Sequence, residues 1–185
     1  RSGSGKSTLL NMLAGLLEPT EGQVLLDGAD LYAMDDRERS RLRNTSIGVI
    51  PQGQTGLHSL TVLENVKLPS LLYAKEPCSD ERAEELLARV GIAELRDVYP
   101  NELSGGEMRR LAIARALVMD PGVILADEPT GDLDDENTRS VLALLRACAD
   151  EGKAVLLVTH EAEAAAYADV VYRMDNGMLA PVSEE

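Results

Sequence analysis

The chain has 185 residues, of which 44% are hydrophobic and 27% charged, a composition typical of one globular domain with a sizeable core. Its formal net charge is -14, and aromatic residues make up only 3%, with neither Phe nor Trp. Such an acidic surface repels phosphate backbones and offers bases few rings to stack on, so no nucleic-acid partner is expected.

The two cysteines, Cys78 and Cys148, lie far apart and in no spacing typical of a disulfide framework or a metal site. This usage fits a reducing cytoplasm. No run approaches the ~18 consecutive apolar residues that a membrane span needs. Residues 1–8 (RSGSGKST) do not resemble a signal peptide. We therefore expect a cytoplasmic protein whose link to any membrane runs through a partner.

Short runs of branched aliphatic residues recur along the chain and predict strands, several of them buried on both faces of a parallel sheet. A tight turn is expected at residues 175–177 (DNG), after the last strand. The predicted strands cover residues 22–27, 47–50, 123–126, 154–158 and 170–174.

Helices are expected between these strands. The first covers residues 6–17, directly after a glycine-rich turn. Residues 61–73 and 79–90 predict two more, the former ended or kinked by Pro69 and the latter capped by Ser79. The order of elements predicts an α/β fold with a mainly parallel sheet flanked by helices, together with an inserted helical subdomain.

Residues 3–8 (GSGKST) match the end of the phosphate-loop pattern G-x-x-x-x-G-K-[ST]. Glycines let backbone N–H groups close around phosphate oxygens, and the following helix directs its positive end at the same anion. Lys6 is expected to reach the β- and γ-phosphates of a nucleotide, and the Ser7 hydroxyl to bind Mg²⁺. The alternative is a polar Gly/Ser tail without function. The candidate nucleotide-binding residues are Gly3, Ser4, Gly5, Lys6, Ser7 and Thr8.

The run at residues 123–126 (VILA) ends in two carboxylates, Asp127 and Glu128. A buried strand would deliver them to the carboxyl edge of the sheet, where ligands of such folds bind. We expect Asp127 to hold Mg²⁺, directly or through water, and Glu128 to polarise the water that attacks the γ-phosphorus. The alternative is a strand that merely ends in a polar turn stopped by Pro129.

Residues 103–107 (LSGGE), followed by 109–116 (RRLAIARA), resemble the signature of the ATP-binding-cassette family. Ser104 is expected to cap the next helix, whose glycines leave its first N–H groups bare for an anion. The resemblance implies that two subunits pair head to tail, with each ATP between one chain's phosphate loop and the other's signature. The signature residues are Ser104, Gly105, Gly106 and Glu107, the last of which is more often Gln in the family.

Other positions match the family in order. Gln52 matches the glutamine that contacts Mg²⁺ and the attacking water, and His160 matches the switch histidine at the γ-phosphate. Residues 131–134 (GDLD), including Asp134, match the loop that links the two subunits' sites. His58 matches no motif and is interpreted as a surface residue.

The resemblance covers essentially the whole chain and implies a single cassette ATPase domain. Its core is expected at residues 1–52 and 116–185, and its helical subdomain at residues 53–115. The first strands, the first loop glycine and the adenine-stacking aromatic residue are expected to precede residue 1.

Residues 61–69 (TVLENVKLP) and 71–73 (LLY) resemble the branch with the lipoprotein-releasing, macrolide-exporting and cell-division ATPases. The branch usually has Phe in and after the strand that precedes the glutamine, where residues 50–54 read IPQGQ. The groove for the membrane partner's coupling helix is therefore expected to be less aromatic and more polar. Four arginines alternate nearby and predict a solvated helix face or, as the alternative, a contact with an acidic partner; they are Arg37, Arg39, Arg41 and Arg43.

The leading hypothesis is an ATPase subunit, bound to the inner face of the cell membrane through an integral permease, that powers substrate export or extraction. A second is a regulatory ATPase that switches a membrane partner without transport. A third is a non-transport cassette ATPase of DNA repair or translation, which would need a basic surface or long insertions that the sequence lacks.

Overall fold

A computed structural model describes residues 4–53 and 56–182. Its centre is a parallel sheet of three strands in the order β3–β4–β5: β3 spans Ile47–Ile50, β4 spans Val123–Asp127 and β5 spans Ala154–Val158. These strands match the predicted aliphatic runs, and β4 extends one residue further, to Asp127. The α/β class and the parallel sheet are thus confirmed.

Helices cover the sheet. Helix α1 (Lys6–Leu13) and helix α2 (Asp36–Ser46) precede β3, and helix α7 (Asp135–Asp150) connects β4 to β5. Leu10 of α1 is buried in a cluster with Leu125 of β4 and Val158 of β5. This apolar contact holds the start of α1 near the carboxyl ends of the strands.

In the described part of the chain, four helices lie between β3 and β4: α3 (Val62–Lys67), α4 (Ser70–Tyr73), α5 (Asp80–Val90) and α6 (Gly105–Leu117). Apolar residues of α3, α5 and α6 are buried in one cluster that continues into β4 and α7. The predicted boundaries at residues 52 and 116 stay a prediction, and packing is continuous across them. Short 3-10 helices occur at Ala93–Leu95, Pro100–Glu102 and Ala162–Tyr167.

Two small antiparallel hairpins lie outside the parallel sheet. One pairs β1 (Leu25–Leu26) with β2 (Ala29–Asp30), and the other pairs β6 (Tyr172–Asp175) with β7 (Met178–Pro181). The predicted strand at residues 22–27 is thus reduced to two residues, and the strand predicted at 170–174 begins two residues later. The tight turn is confirmed, because Asn176 and Gly177 both have positive φ between β6 and β7, as a two-residue hairpin turn requires.

One helix prediction was too long, and the two others agree with the structure. Helix α1 ends at Leu13 instead of residue 17, and Gly15 follows with a φ of 68° that no regular helix continues through. Residues 61–73 form the two helices α3 and α4, with Pro69 at their junction, which confirms the break expected there. The Ser79 cap of α5 is confirmed, because the Ser79 hydroxyl accepts from the Arg82 N–H.

The prediction that the four arginines form a solvated helix face is correct for only two of them. Residues two apart on a helix point in nearly opposite directions, so Arg37 and Arg41 are exposed while Arg39 and Arg43 are half-buried. The Arg39 guanidinium lies 5.3 Å from the centre of the Tyr32 ring. Arg43 donates a hydrogen bond to the carbonyl oxygen of Gly15 and thereby ties α2 to the end of α1.

His58 is exposed, as expected. Among residues 4–53 and 56–182, no helix is both long and apolar enough to cross a membrane.

Gly48 in β3 leaves room for the end of helix α6. A methyl group at this position would lie 2.7 Å from the Ala116 carbonyl oxygen and 3.0 Å from Pro121 Cγ. We expect Gly48→Ala to lower the free energy of unfolding by about 1–3 kcal/mol, because such overpacking forces α6 away from the sheet. Denaturant titration measures this loss. The matched control is Gly122→Ala, whose added methyl group meets nothing within 4 Å; equal stability of the two variants would contradict the packing argument.

Candidate functional site

The phosphate loop leads directly into helix α1. Ser4 is buried, and Gly5 adopts a φ of 97° that lets the chain turn sharply before the helix begins at Lys6. Gly5 has no side chain to cap the first turn, and no acidic residue occupies that turn, so its N–H groups can receive an anion. Ser7 and Thr8 are exposed there. The predicted ligand Gly3 lies outside the described residues.

The Lys6 side chain lies at the mouth of the loop. Its Nζ donates a 3.2 Å hydrogen bond to the Ser4 hydroxyl. The Gly177 N–H donates to the Ser4 carbonyl oxygen at 3.0 Å, so the turn between β6 and β7 supports the loop from behind. Lys6 and His160 both line a groove of about 990 Å³ that runs along β5. The structure therefore brings the phosphate loop and the predicted histidine to one cavity.

The strand register places the other predicted polar residues at one edge of the sheet. Ile50 of β3 pairs with Ala126 of β4, and Asp127 pairs with Val158 of β5. Gln52, Glu128 and His160 follow these strand ends within two residues. Parallel strands end at a common edge, so all four predicted polar residues at strand ends lie on the same side of the sheet as the start of α1.

Glu128 and His160 form a hydrogen-bonded pair. His160 Nδ1 lies 2.9 Å from Glu128 Oε2, and the His160 backbone N–H donates to the same oxygen at 3.3 Å. An ionised carboxylate only accepts hydrogen bonds, so the His160 ring donates to Glu128 through its Nδ1–H group. The Glu128 side chain is only 13% exposed, whereas that of His160 is 67% exposed. The histidine can thus meet a ligand while holding the carboxylate in place.

The backbone of Glu128 is strained. Its φ is 47°, a region that costs a residue with a side chain about 1–3 kcal/mol. The Glu128 N–H donates to the Val158 carbonyl oxygen at 2.8 Å, and its own carbonyl oxygen accepts from Gly131. These bonds fix the direction in which the carboxylate leaves the strand, which is what a positioned base requires.

Asp127 contains an unsatisfied oxygen. Its Oδ1 is buried and has no hydrogen-bond partner within the described part of the chain. A buried carboxylate oxygen without a partner is costly, so such an atom calls for a ligand such as a cation or an ordered water. The position at the end of β4 directs that ligand to the same edge as Glu128.

The signature residues form the start of helix α6. Ser104 is its N-cap: the Glu107 N–H donates to the Ser104 hydroxyl, and the Ser104 N–H donates to the Glu107 carboxylate. The Ser104 hydroxyl also donates to that carboxylate at 2.7 Å. The expected cap is therefore confirmed. The Glu107 side chain has a structural task that the sequence analysis did not assign, as the second half of a capping box.

Gly105 and Gly106 differ in their surroundings. Gly105 is exposed, whereas Gly106 is buried, and a methyl group on Gly106 would lie 2.6 Å from Asn137 Oδ1 at the start of α7. Gly106 therefore permits close contact between the starts of α6 and α7. This contact places the signature beside the loop of residues 131–134.

Asp134 caps helix α7. Its carboxylate accepts from the Asn137 backbone N–H and from the Asn137 side-chain amide, each at 2.8 Å. These bonds, the backbone one first, hold the pKa of Asp134 below its usual value. Asp132 in the same loop has a φ of 63°. The loop is thus shaped by its own turn and by the cap, and the Asp134 carboxylate faces the helix start.

Two further contacts were missed by the sequence analysis. Arg109 is buried and donates to the carbonyl oxygens on both sides of Gln52. The buried Thr130 donates to Glu161 at 2.6 Å, which ties the loop after Glu128 to the residue after His160. For Arg109, a signal existed in the sequence: it lies among the apolar positions of α6, where an unpaired charge would be unfavourable.

Comparisons with known proteins agree with this geometry. Residues 1–131 match the family described as ABC transporter. The lipoprotein-releasing system ATP-binding protein LolD of Alcanivorax borkumensis is 43% identical over 96% of this chain and 79% of its own length. The macrolide export ATP-binding/permease protein MacB of Rhodospirillum rubrum is 44% identical over 97% of this chain and 28% of its own.

A solved structure is also similar. It is described as a dimeric, post-hydrolysis state of the ATP-binding cassette MJ0796 bound to ADP and Pi. It matches this chain with a TM-score of 0.90 and 35% identity, covering 100% of this chain and 84% of that one. The identities with the LolD and MacB proteins confirm the resemblance to the lipoprotein-releasing and macrolide-exporting branch. The chain therefore belongs to the ABC transporter family, whose ATP-binding subunits it matches over nearly its whole length.

Proposed function

We propose that this chain binds and hydrolyses ATP in a head-to-tail dimer and so powers a separate membrane permease. The observation that carries the proposal is the single edge that holds the start of α1, the unsatisfied Asp127 oxygen and the hydrogen-bonded pair of Glu128 and His160. A phosphate-binding helix start beside a held carboxylate is the arrangement that phosphoryl transfer to water requires.

The triphosphate lies on the loop before α1. Backbone N–H groups of residues 4–8 surround the β- and γ-phosphates, and Lys6 exchanges its hydrogen bond with Ser4 for the phosphate oxygens. The exposed hydroxyls of Ser7 and Thr8 stand at the same helix start.

A magnesium ion fits the oxygen donors at this edge. Asp127 supplies a buried oxygen without a partner among the described residues, and Ser7 and Gln52 supply neutral oxygens. Mg²⁺ prefers such a set of one carboxylate and a few neutral oxygens, completed by water and substrate phosphates. When bound, the ion would neutralise charge on the phosphates.

Glu128 acts as the general base. It orients a water whose oxygen attacks the γ-phosphorus while the bond to the β–γ bridging oxygen breaks, which gives ADP and phosphate. The Glu128 Oε2 atom is held by His160, which leaves the other carboxylate oxygen for the water. The exposed ring of His160 lies at the γ-phosphate, and Gln52 approaches the water from the end of β3.

The second half of each site comes from the partner copy. Ser104 and the N–H groups of Gly105 and Gly106 meet the γ-phosphate held by the other chain, while Glu107 holds the Ser104 cap and the loop with Asp134 lies beside them. The partner is a second copy of this chain or a paired ATPase subunit. The dimeric cassette with bound ADP and Pi supports this arrangement.

The membrane partner is an integral permease, and the chain works at the inner face of the cell membrane through it. This is supported by the name of the MacB relative, which joins an ATP-binding part and a permease in one protein. Transport is favoured over regulation alone and over a role in DNA repair or translation, because the matched relatives are named for release and export. The net charge of -14 likewise disfavours nucleic acid.

Ser104 provides a test of the dimer. In the Glu128→Gln background, where bound ATP persists, we expect Ser104→Ala to raise the dissociation constant of the ATP-bound dimer by at least about 10-fold, because a hydrogen bond to a charged phosphate is lost at each site. Light scattering across a concentration series, with ATP and Mg²⁺, measures the dimer.

The matched control is Ser79→Ala. Ser79 caps α5 as Ser104 caps α6, so both variants lose a helix cap worth about 1 kcal/mol. Only Ser104→Ala should weaken ATP-dependent pairing. Equal weakening in both variants, or a Glu128→Gln protein that stays monomeric with ATP, would contradict the proposed sandwich.

A further inference from the structure

Arg109 joins helix α6 to the segment that carries Gln52. Its Nη1 atom donates to the Pro51 carbonyl oxygen at 3.2 Å and to the Gly53 carbonyl oxygen at 3.0 Å. These two carbonyls flank Gln52 on either side. One guanidinium nitrogen therefore holds both ends of a three-residue segment whose middle residue is a candidate catalytic group.

The guanidinium is withdrawn from solvent. Arg109 is 7% exposed as a residue, and burial lowers its pKa while the negative charge of Asp132 opposes that shift. Arg109 thus contacts the Gln52 segment directly and is near enough to Asp132 to interact with its charge. A buried guanidinium is held strongly by the carbonyls it contacts, because water cannot readily replace them as an acceptor.

The geometry links two parts of the site. Ser104 starts helix α6, and Arg109 lies five residues further on, about 7.5 Å along the helix axis at 1.5 Å per residue. Gln52 follows β3 and belongs to no helix or strand, and Gly53 turns the chain with a φ of 90°. The Arg109 contacts therefore tie the Gln52 backbone to α6.

We propose that Arg109 is a positioning residue for ATP hydrolysis, which fastens the Gln52 segment to the signature helix so that Gln52 and Ser104 move together. The inference rests on the proposed function. In the dimer, Gln52 serves the ATP bound by its own chain and Ser104 serves the ATP of the partner copy. The link therefore couples closure at one nucleotide to the placement of Gln52 at the other.

A double-mutant cycle in the full-length protein tests this link. We expect Arg109→Gln to lower kcat for ATP hydrolysis by roughly 10-fold or more, with the ATP dissociation constant changed by less than about 3-fold, because positioning and not binding is lost. In the Gln52→Ala background the same substitution should cost less than about 2-fold further, since Arg109 acts through Gln52. Arg109→Lys keeps the charge and one donor, and should recover part of kcat.

Arg110→Gln is the matched control. Arg110 is the next residue of α6, but it donates to the Val90 carbonyl oxygen and to the Ser140 hydroxyl, away from the Gln52 segment. Thermal unfolding of both variants measures any general loosening of α6. Equal losses of kcat in the two variants, or full multiplication of the Arg109 and Gln52 effects, would overturn the proposal.

The outcomes also separate this inference from the proposed function. A wild-type protein without ATP hydrolysis would overturn both. A wild-type protein that hydrolyses ATP, together with an Arg109→Gln variant of unchanged kcat, would overturn only the role of Arg109.

Discussion

Glu128→Gln is expected to lower kcat for ATP hydrolysis by roughly 10²–10⁴-fold, the range typical of a lost general base. The amide cannot accept a proton from water, yet it has nearly the same shape as the carboxylate. Its carbonyl oxygen can still accept from His160 Nδ1, so the pair at the sheet edge should survive. Phosphate release under saturating ATP and Mg²⁺ measures the loss.

ATP binding should remain in this variant, because the phosphate loop is untouched. An ATP dissociation constant equal to that of the wild type, combined with the loss of kcat, would place Glu128 in the chemical step. Glu163→Gln is the control: it removes another carboxylate near the same segment, one that forms an exposed ion pair with Arg139. Normal turnover by Glu128→Gln would refute the assignment of the base.

Lys6→Ala should weaken ATP binding by about 10–150-fold, since a hydrogen bond from a charged donor contributes about 1.5–3 kcal/mol. Lys6 is the charged donor at the mouth of the loop, and its ammonium group donates a hydrogen bond to the neutral Ser4 hydroxyl. The side chain is thus free to exchange that partner for phosphate oxygens. Calorimetric titration with ATP and Mg²⁺ measures the dissociation constant.

Lys75→Ala controls for net charge. Lys75 is exposed between α4 and α5, and its removal subtracts the same positive charge from a protein that is already strongly acidic. Only the Lys6 variant should lose affinity. If both variants lost affinity equally, the effect would be one of long-range charge, and Lys6 would have no special role at the phosphates.

The central sheet could be predicted from the aliphatic composition of its strands, although only β3 and β4 are mostly buried and β5 has exposed residues at alternate positions. Residues 47–50 and 154–158 are short aliphatic runs, and the structure forms strands with the same bounds. The segment at 22–27 has a similar aliphatic content but forms only Leu25–Leu26, with Leu25 58% exposed. Whether an aliphatic segment forms a long strand depends on the strands that pair with it, and a local sequence pattern does not identify those strands.

The candidate site was predictable at the level of motifs and less so at the level of contacts. The order of polar residues after strand ends places Asp127, Glu128 and His160 on one edge, and the structure has them there. The positive φ of Glu128 and the clamp formed by Arg109 depend on residues about 30 or more positions away in the sequence. The spacing of residues within a motif does not show which distant residues they will contact.

The fifth signature residue departs from the glutamine that is usual in the family, yet Glu107 forms the reciprocal contact with Ser104 that either side chain can make. Its carboxylate also accepts from the Ser104 hydroxyl. That Glu107 has little effect on function stays a prediction. Its contacts with Ser104 explain why the start of α6 tolerates this residue.

The apolar cluster that runs without interruption from α3 and α5 through α6 into β4 and α7 has a mechanical consequence. Close-packed interiors compress little, so a force on the inserted helices should displace α6, which is about 20 Å long, as a rigid unit. Arg109 connects α6 to the Gln52 segment through the carbonyl oxygens of Pro51 and Gly53. A permease that presses on these helices would therefore shift Gln52 and the signature at the partner copy's nucleotide at the same time.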